Sequence, residues 1–441
     1  MRVPDQHAIS SQYSQSPAQS PMPSTAHALT RQHPHHSVKD APSRYFLLLL
    51  WAGCLLMPFS TGIDASVGVQ AFGIPVLAIA ALTGGIAAIG NVSIGLPPRV
   101  ALFLWTCALS VAWLTICATW SPQPLPSLSR AFVNVLGLAL LMCCVLIVAR
   151  HWSSLSWRSI GLPVVAASTL LSAYYVVNLA WVIHLFGTEA VVLERYVGGL
   201  MSLPWGASNT IAAVLLLGLG MAFLLRERMS SLWLWGIALV HVTAIALTFS
   251  RNGAAMAILL LLLGANRVER RFLLIGIGAL LFTALAEQQF VAESAALTEL
   301  IENRLTGGDE VSNGRLEIWS NKVEYFLNNP WLPTGYYSLL YKFDFSGHNF
   351  AITTLIEQGF PGLLLNLALL WQLFAMPAKS GTSRTPMTFQ RLWFLVTVNM
   401  TFEDPHFTQP FIILFWLVAT THLLCHMEGQ KMRTHAAPAR I

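Results

Sequence analysis

The stretch 231-SLWLWGIALVHVTAIALTFSRNGAAMAILLLLLGANRVERR-271 decides the class of this protein. Two almost unbroken apolar runs, 231–249 and 253–265, meet at a short turn that carries Arg251 and Asn252. Arg267, Arg270 and Arg271 follow at once. Apolar runs of this kind in quick succession suit a bilayer, not a water-facing surface. The rest of the chain agrees. Its 441 residues are 55% hydrophobic and 10% charged, with mean hydropathy +0.60, whereas a soluble domain carries about 25% charged residues. The chain therefore reads as an all-α, polytopic integral membrane protein. A secreted disulfide scaffold, a cytosolic enzyme and a DNA-binding factor are excluded.

Twelve stretches are candidates to cross the membrane, at about 45–59, 71–94, 100–119, 131–149, 160–186, 209–225, 231–249, 253–265, 272–286, 350–376, 391–403 and 410–426. Several are short on paper, and the first, eighth and eleventh are the weakest. Charge tests the count. With a cytoplasmic N-terminus, 18 of the 25 Lys and Arg residues fall inside and seven outside. Every inner segment then has at least one cation, and two outer ones have none, which is the positive-inside pattern. Both termini are expected in the cytoplasm. The net charge of +5 is thus a matter of topology, and no nucleic-acid partner is expected.

The parts divide as follows. Residues 1–43, rich in Ser, Pro, Gln and His, cannot bury enough surface to fold and read as a disordered cytoplasmic tail. Residues 44–286 hold helices 1–9, residues 350–426 hold helices 10–12, and 427–441 form a second cytoplasmic tail. Between helices 9 and 10 lies one large outer, periplasmic loop, 287–349; loops so long are usually functional. It is expected to hold two helices. The first is at about 288–305. The second opens at Ser312-Asn313-Gly314, ends at Asn328-Asn329-Pro330, and puts Leu316, Trp319, Val323 and Phe326 on one face. The six cysteines lie in or beside apolar stretches, with no C-x-x-C pair, and read as apolar fillers. No metal-ligand spacing, D-x-D, H-E-x-x-H or P-loop occurs, so no metal and no cofactor is expected.

Outer-side charges that run against the topology need a reason. Arg251, in Ser250-Arg251-Asn252-Gly253, either snorkels to the headgroups or binds an anion. Arg315 opens the second loop helix, where free N–H groups and a guanidinium fork suit a diphosphate; a salt bridge to Glu317 or Glu310 is the alternative. Arg195 is outside too, with Glu194 beside it as a local partner, and is held as a secondary anion ligand. His348 and Asn349 close the loop at the membrane surface. Glu357, nine residues into the tenth span, must be paired or protonated. It is either a structural partner, the preferred reading, or a second acid–base group.

These pieces, in this order, resemble the O-antigen ligase and polymerase family of bacterial envelope glycosyltransferases. The stretches that carry the resemblance are Ser250-Arg251-Asn252-Gly253, then Gly314-Arg315-Leu316-Glu317-Ile318-Trp319, then Asn329-Pro330-Trp331 with Thr334-Gly335-Tyr336. Next come His348-Asn349 and Leu355-Ile356-Glu357-Gln358-Gly359-Phe360-Pro361-Gly362. The last outer turn, Thr401-Phe402-Glu403-Asp404-Pro405, is similar to a family turn bearing an acidic residue. Asn252, standing before Gly253, departs mildly from the family's usual Ser-Arg-Gly.

The resemblance implies a periplasmic-face transferase of the inner membrane. Its donor is a glycan on a polyprenyl diphosphate, and its acceptor is lipid A core or a growing glycan. Arg251, Arg315 and Arg195 would bind the diphosphate, His348 would act as base, and Glu357 and Asn349 would support them. An O-antigen ligase is preferred to a polymerase because one large outer loop carries both Arg315 and His348. A twelve-helix transporter is the alternative of another class. Against it stand the lack of an internal repeat, the small number of intramembrane charges and the gathering of the informative residues on the outer side.

Overall fold

The computed structural model describes residues 41–59, 72–88, 95–150, 155–197, 208–248, 250–274, 315–328, 333–339, 348–377, 386–402 and 408–436. Among these residues every extended regular element is an α-helix. In chain order they are α1 (Ala41–Leu56), α2 (Gly73–Ala88), α3 (Pro98–Thr119), α4 (Pro124–Arg150), α5 (Trp157–Val197), α6 (Ser208–Leu224), α7 (Ser231–Leu247) and α8 (Arg251–Gly264), then α9 (Arg315–Asn328), α10 (Phe350–Ala375), α11 (Phe389–Phe402) and α12 (Gln409–Ala436). Residues 267–274 are also helical. Helices thus stand at eleven of the twelve expected stretches, and the ninth, 272–286, is described only to residue 274.

Helix ends fall where the sequence provides for them. Pro98 occupies the first turn of α3, where a missing N–H costs nothing. Ser230 caps α7 by accepting from the Trp233 N–H, and Ser250 caps α8 by accepting from the Gly253 N–H at 3.0 Å. Among the described residues, five helices are long and apolar enough to cross a membrane: α3, α4, α10 and the segments Trp157–Leu185 of α5 and Gln409–Lys431 of α12. Helices α1, α2, α6, α7 and α8 are apolar but shorter.

The helix α12 is the centre of the bundle. Ninety-four per cent of its most apolar window is buried, against 44–61% for the other four long helices. It packs on α4, α5 and α6. Around it, α1 packs on α2, α3 on α4 and α10, and α11 on α10, α8 and α6. All six cysteines are buried and unpaired among these helices, as apolar fillers should be.

The contacts define two ends. At one end Arg226 donates to the Gly264 carbonyl and pairs with Glu269 at 2.8 Å. Arg391 donates to the Leu263 carbonyl, and His422 Nε2 faces the Met376 carbonyl at 3.0 Å. Partial burial works against a charge on Glu269. The Arg226 hydrogen bonds and charge and the Asn266 N–H nevertheless hold its carboxyl below the ordinary range. At the other end α8 begins, α11 finishes, and α10 begins. Asn252 Nδ2 donates to the Asn399 carbonyl at 3.4 Å, and Asn349 Nδ2 donates to the Thr401 carbonyl at 2.9 Å. Arg251, beside Asn252, and His348, beside Asn349, belong to this second end.

Candidate functional site at the α8, α10 and α11 end

The site is built on a break in α10. Pro361 has no N–H to offer the Glu357 carbonyl, and Gly359 leaves the helical region altogether, with φ 68° and ψ −174°. Three successive carbonyls then take partners from outside their helix. Ile356 O accepts from Thr334 N at 2.9 Å, and Glu357 O accepts from Gly335 N at 3.2 Å. Gln358 O accepts from Trp113 Nε1 at 2.8 Å. The stretch Ile356-Glu357, just before the break, and the stretch Thr334-Gly335, 22 residues earlier, are the two halves of one joint. Irregular backbone inside a membrane bundle is tolerable where protein groups satisfy it in this way.

Glu357 completes the joint. Its side chain is fully buried, and its two oxygens accept from the Tyr337 N–H at 2.9 Å and the Leu339 N–H at 3.0 Å. A buried carboxylate needs such donors. They hold Tyr337 at φ 60°, a conformation rare for an aromatic residue. Gly335, at φ 101°, lies so close to α3 that a Cβ there would sit 2.5 Å from Ser121 Cα. Tyr336 N donates to the Cys117 carbonyl. Burial first, and then the nearby Glu357 carboxylate, push the Tyr336 phenol far above its ordinary range. Beneath Tyr336 lies a cavity of about 60 Å³ whose polar lining is Ser110, Asn134, Tyr336, Gln358 and Asn366.

Arg251 is the first residue of α8 and is exposed. Its neighbour Asn252 ties it to α11, and α11 is tied to Asn349 through Thr401. Asn349 also caps α10, its Oδ1 accepting from Ile352 N at 3.0 Å. His348, half-buried at φ 46°, precedes that cap in a left-handed turn. The structure thus brings Arg251 and the His348-Asn349 turn to the two sides of the end of α11. Removing both functions of Asn349 should cost about 1–2 kcal/mol. Asn349→Ala is expected to melt well below wild type in detergent. Asn349→Asp, which keeps the cap and loses the Thr401 bond, should fall between them.

Other sites are placed by their backbone. Arg315 is the first residue of α9, as the sequence suggests, and α9 packs on α10. The face of α9 is a correction. Val323 is exposed, while Lys322 is buried and Trp319 and Phe326 are half-buried, so the inward stripe runs 319, 322, 326. Arg195 lies in α5, not in a loop. Tyr175 of α5 donates to the Leu247 carbonyl. From there α5 runs on for about 30 Å at 1.5 Å per residue before it reaches Arg195. The helix at 288–305 and the residues Glu403 to Pro405 lie outside the described residues. Among the described residues no three His, Cys, Asp or Glu side chains gather to hold a metal ion.

Sequence reading missed two things. The break at Gly359 was written in Gly-Phe-Pro-Gly, a breaker signature inside an apolar run. Arg130 of α4 sits over the Tyr337 ring, with its guanidinium carbon 5.3 Å from the ring centre. No curated protein and no solved structure matches the chain. Residues 236–367, which run from α7 through the broken part of α10 and hold Arg251, Arg315, His348, Asn349 and Glu357, match the family model described as O-antigen ligase, so this part of the chain is similar to that family.

Proposed function

We propose that this protein is a glycosyltransferase at the outer face of the bacterial inner membrane. It moves a glycan from a polyprenyl diphosphate to an acceptor hydroxyl. The observation that carries the reading is the match over 236–367; the Asn252 and Asn349 bonds to the end of α11, which bring Arg251 and the His348-Asn349 turn near one another, support it. The cation-rich ends of α3, α6 and α11 lie at the other end, which supports twelve crossings with both termini in the cytoplasm.

The reaction forms one bond and breaks one. An acceptor oxygen attacks the anomeric carbon, and the bond from that carbon to the diphosphate oxygen breaks. The electron pair leaves with the polyprenyl diphosphate. Charge on the leaving group grows in the transition state, so fixed guanidinium groups stabilise it more than they stabilise the bound donor. Arg251 and Arg315 take this role, with Arg195 of α5 in a secondary place. His348 accepts the acceptor's proton. Asn349 holds the His348 turn, and Glu357 holds the 333–339 segment; both are positioning residues.

Fixed cations supply the charge that a divalent ion supplies in many glycosyl transfers. Transfer is therefore expected to continue in excess EDTA at an unchanged rate. A rate that collapses and returns with magnesium would overturn this part.

The acceptor assigned is lipid A core, which makes the protein a ligase. A strain lacking the gene tests this by electrophoresis of its lipopolysaccharide and analysis of its lipid-linked glycans. Bare core, with full-length glycan accumulating on the carrier, is the expected result. Core bearing a single repeat unit, or normal lipopolysaccharide with another surface polysaccharide missing, would make it a polymerase.

A further inference from the structure

Helices α3 and α10 are tied to each other at two levels. Near the break, Trp113 Nε1 of α3 donates to the Gln358 carbonyl. About four turns further along α10, Gln372 Nε2 donates to Thr106 Oγ1 of α3 at 2.7 Å. Thr106 gives its own proton to the Leu102 carbonyl, so the amide nitrogen is the group that meets it. At this second level the start of α3 and the end of α10 enclose a groove of about 360 Å³. Arg99 and Leu102 line it from α3, and Ala368, Trp371, Gln372 and Ala375 line it from α10. The two alanines stand about one turn before and after the Trp371-Gln372 pair. Each carries only a methyl group, so the room between the helices stays open.

The groove faces lipid, away from the candidate functional site. Leu102 and Trp371 are 59% and 73% exposed. In a membrane bundle such side chains meet acyl chains, and tryptophan favours the depth of the headgroups. Met376 also lines the groove, and its carbonyl faces His422, which places the groove at the Arg226 and Arg391 end. Most of the 26-residue α10 lies between it and the Asn349 cap. Arg99 supplies the one charge. It is the only charged residue between Asp64 and Arg130 in the sequence, and it is exposed in the first turn of α3. No ion pair among the described residues involves it, and no carboxylate lines the groove.

We infer that this groove is a binding site for an anionic phospholipid, with the headgroup phosphate on the Arg99 guanidinium and one acyl chain laid between Leu102 and Trp371. The two parts of the groove call for the two parts of such a molecule. The apolar walls favour a chain, and a guanidinium fork matches a phosphate. The start of α3 adds its free N–H groups and the positive end of its dipole. A zwitterionic headgroup brings its own cation beside the phosphate, so a lone arginine gains less from it than from an anionic one. The Gln372–Thr106 bond holds the helix pair at a fixed spacing, so little ordering is needed on binding. The inference needs only that the bundle lies in a membrane and is independent of the transfer chemistry.

The test is native mass spectrometry of the full-length protein in detergent, titrated with phosphatidylglycerol or phosphatidylcholine of the same acyl chains. Wild type is expected to bind phosphatidylglycerol at least tenfold more tightly. Arg99→Gln should bring the two lipids within twofold of each other, and Arg99→Lys should keep part of the preference. Ala375→Phe, at an exposed position, fills the groove without touching the charge; it should weaken phosphatidylglycerol binding at least tenfold. Arg228→Gln, an exposed cation in the turn after α6, should resemble wild type. Equal binding of both lipids by wild type overturns the inference, as does undiminished binding by Ala375→Phe. The same loss in Arg99→Gln and Arg228→Gln would mean diffuse attraction to a basic surface and would overturn it too. Glycerol 3-phosphate at equal concentration is expected to leave the bound lipid in place. Displacement would make this a site for a soluble phosphate and not for a lipid.

Discussion

Arg251→Gln is expected to lower turnover about 10²–10³-fold, the usual cost of losing one fixed donor to a developing oxyanion. The protein should remain folded, because Arg251 is exposed at the first turn of α8 and the cap is made by Ser250. The link from α8 to α11 runs through Asn252 and is untouched. The loss should lie in kcat, since the charge it meets is greatest in the transition state. Arg251→Lys keeps the charge without the fork and should recover only part of the rate. A loss confined to the donor KM would make Arg251 a ground-state anchor. An unchanged rate would return it to snorkelling.

Gly335→Ala is the substitution expected to damage the fold most. A Cβ at Gly335 would lie 2.5 Å from Ser121 Cα, 2.7 Å from Ser121 N and 3.1 Å from Cys117 O. These are backbone atoms of α3 and the turn after it, so no side chain can swing away. The residue also sits at φ 101°, which alanine rarely adopts. Displacing the segment takes the Tyr337 and Leu339 N–H groups away from Glu357 and strands a buried carboxylate. Breaking a buried charged interaction on one side costs about 3–5 kcal/mol. Gly359→Ala is the control. Its φ is also positive, but the nearest atoms are 3.6 Å away or more, so only the backbone strain of about 1–3 kcal/mol is paid. Detergent-solubilised Gly335→Ala should lose its folded peak on size exclusion, while Gly359→Ala keeps it with a lower melting temperature. Equal behaviour of the two would mean that the segment is not docked as described.

Much of the helix plan is legible in the sequence because apolar runs and caps are local properties. Ser250, Asn349 and Pro98 mark helix starts that the structure keeps, and Asn328 ends α9 where Asn-Asn-Pro predicts. The joint is not legible, because it is a matter of pairing. Thr334-Gly335-Tyr336 and Glu357-Gln358-Gly359 each look like short breaks, and nothing local says that the N–H groups of one meet the carbonyls of the other. Glu357 shows the same limit. Its burial could be foreseen from the span around it, but its partners are backbone N–H groups, which a search for arginines cannot find. The face of α9 shifts by one position for a related reason. Periodicity favours Val323, whereas the long stem of Lys322 can bury its apolar part against neighbouring helices. Arg195 lies between the expected spans 160–186 and 209–225, yet α5 continues through it to Val197.

The central claim is that this protein breaks the bond between a glycan and its polyprenyl diphosphate. Purified full-length protein in nanodiscs can be given a polyprenyl-diphosphate donor with a labelled glycan, together with phosphorylated lipid A core. The account predicts that free polyprenyl diphosphate appears in equal amount with labelled core, and that Arg251→Gln suppresses both. An intact donor recovered from a protein that, placed in sealed vesicles, carries it across the bilayer would contradict the account and make this a transporter.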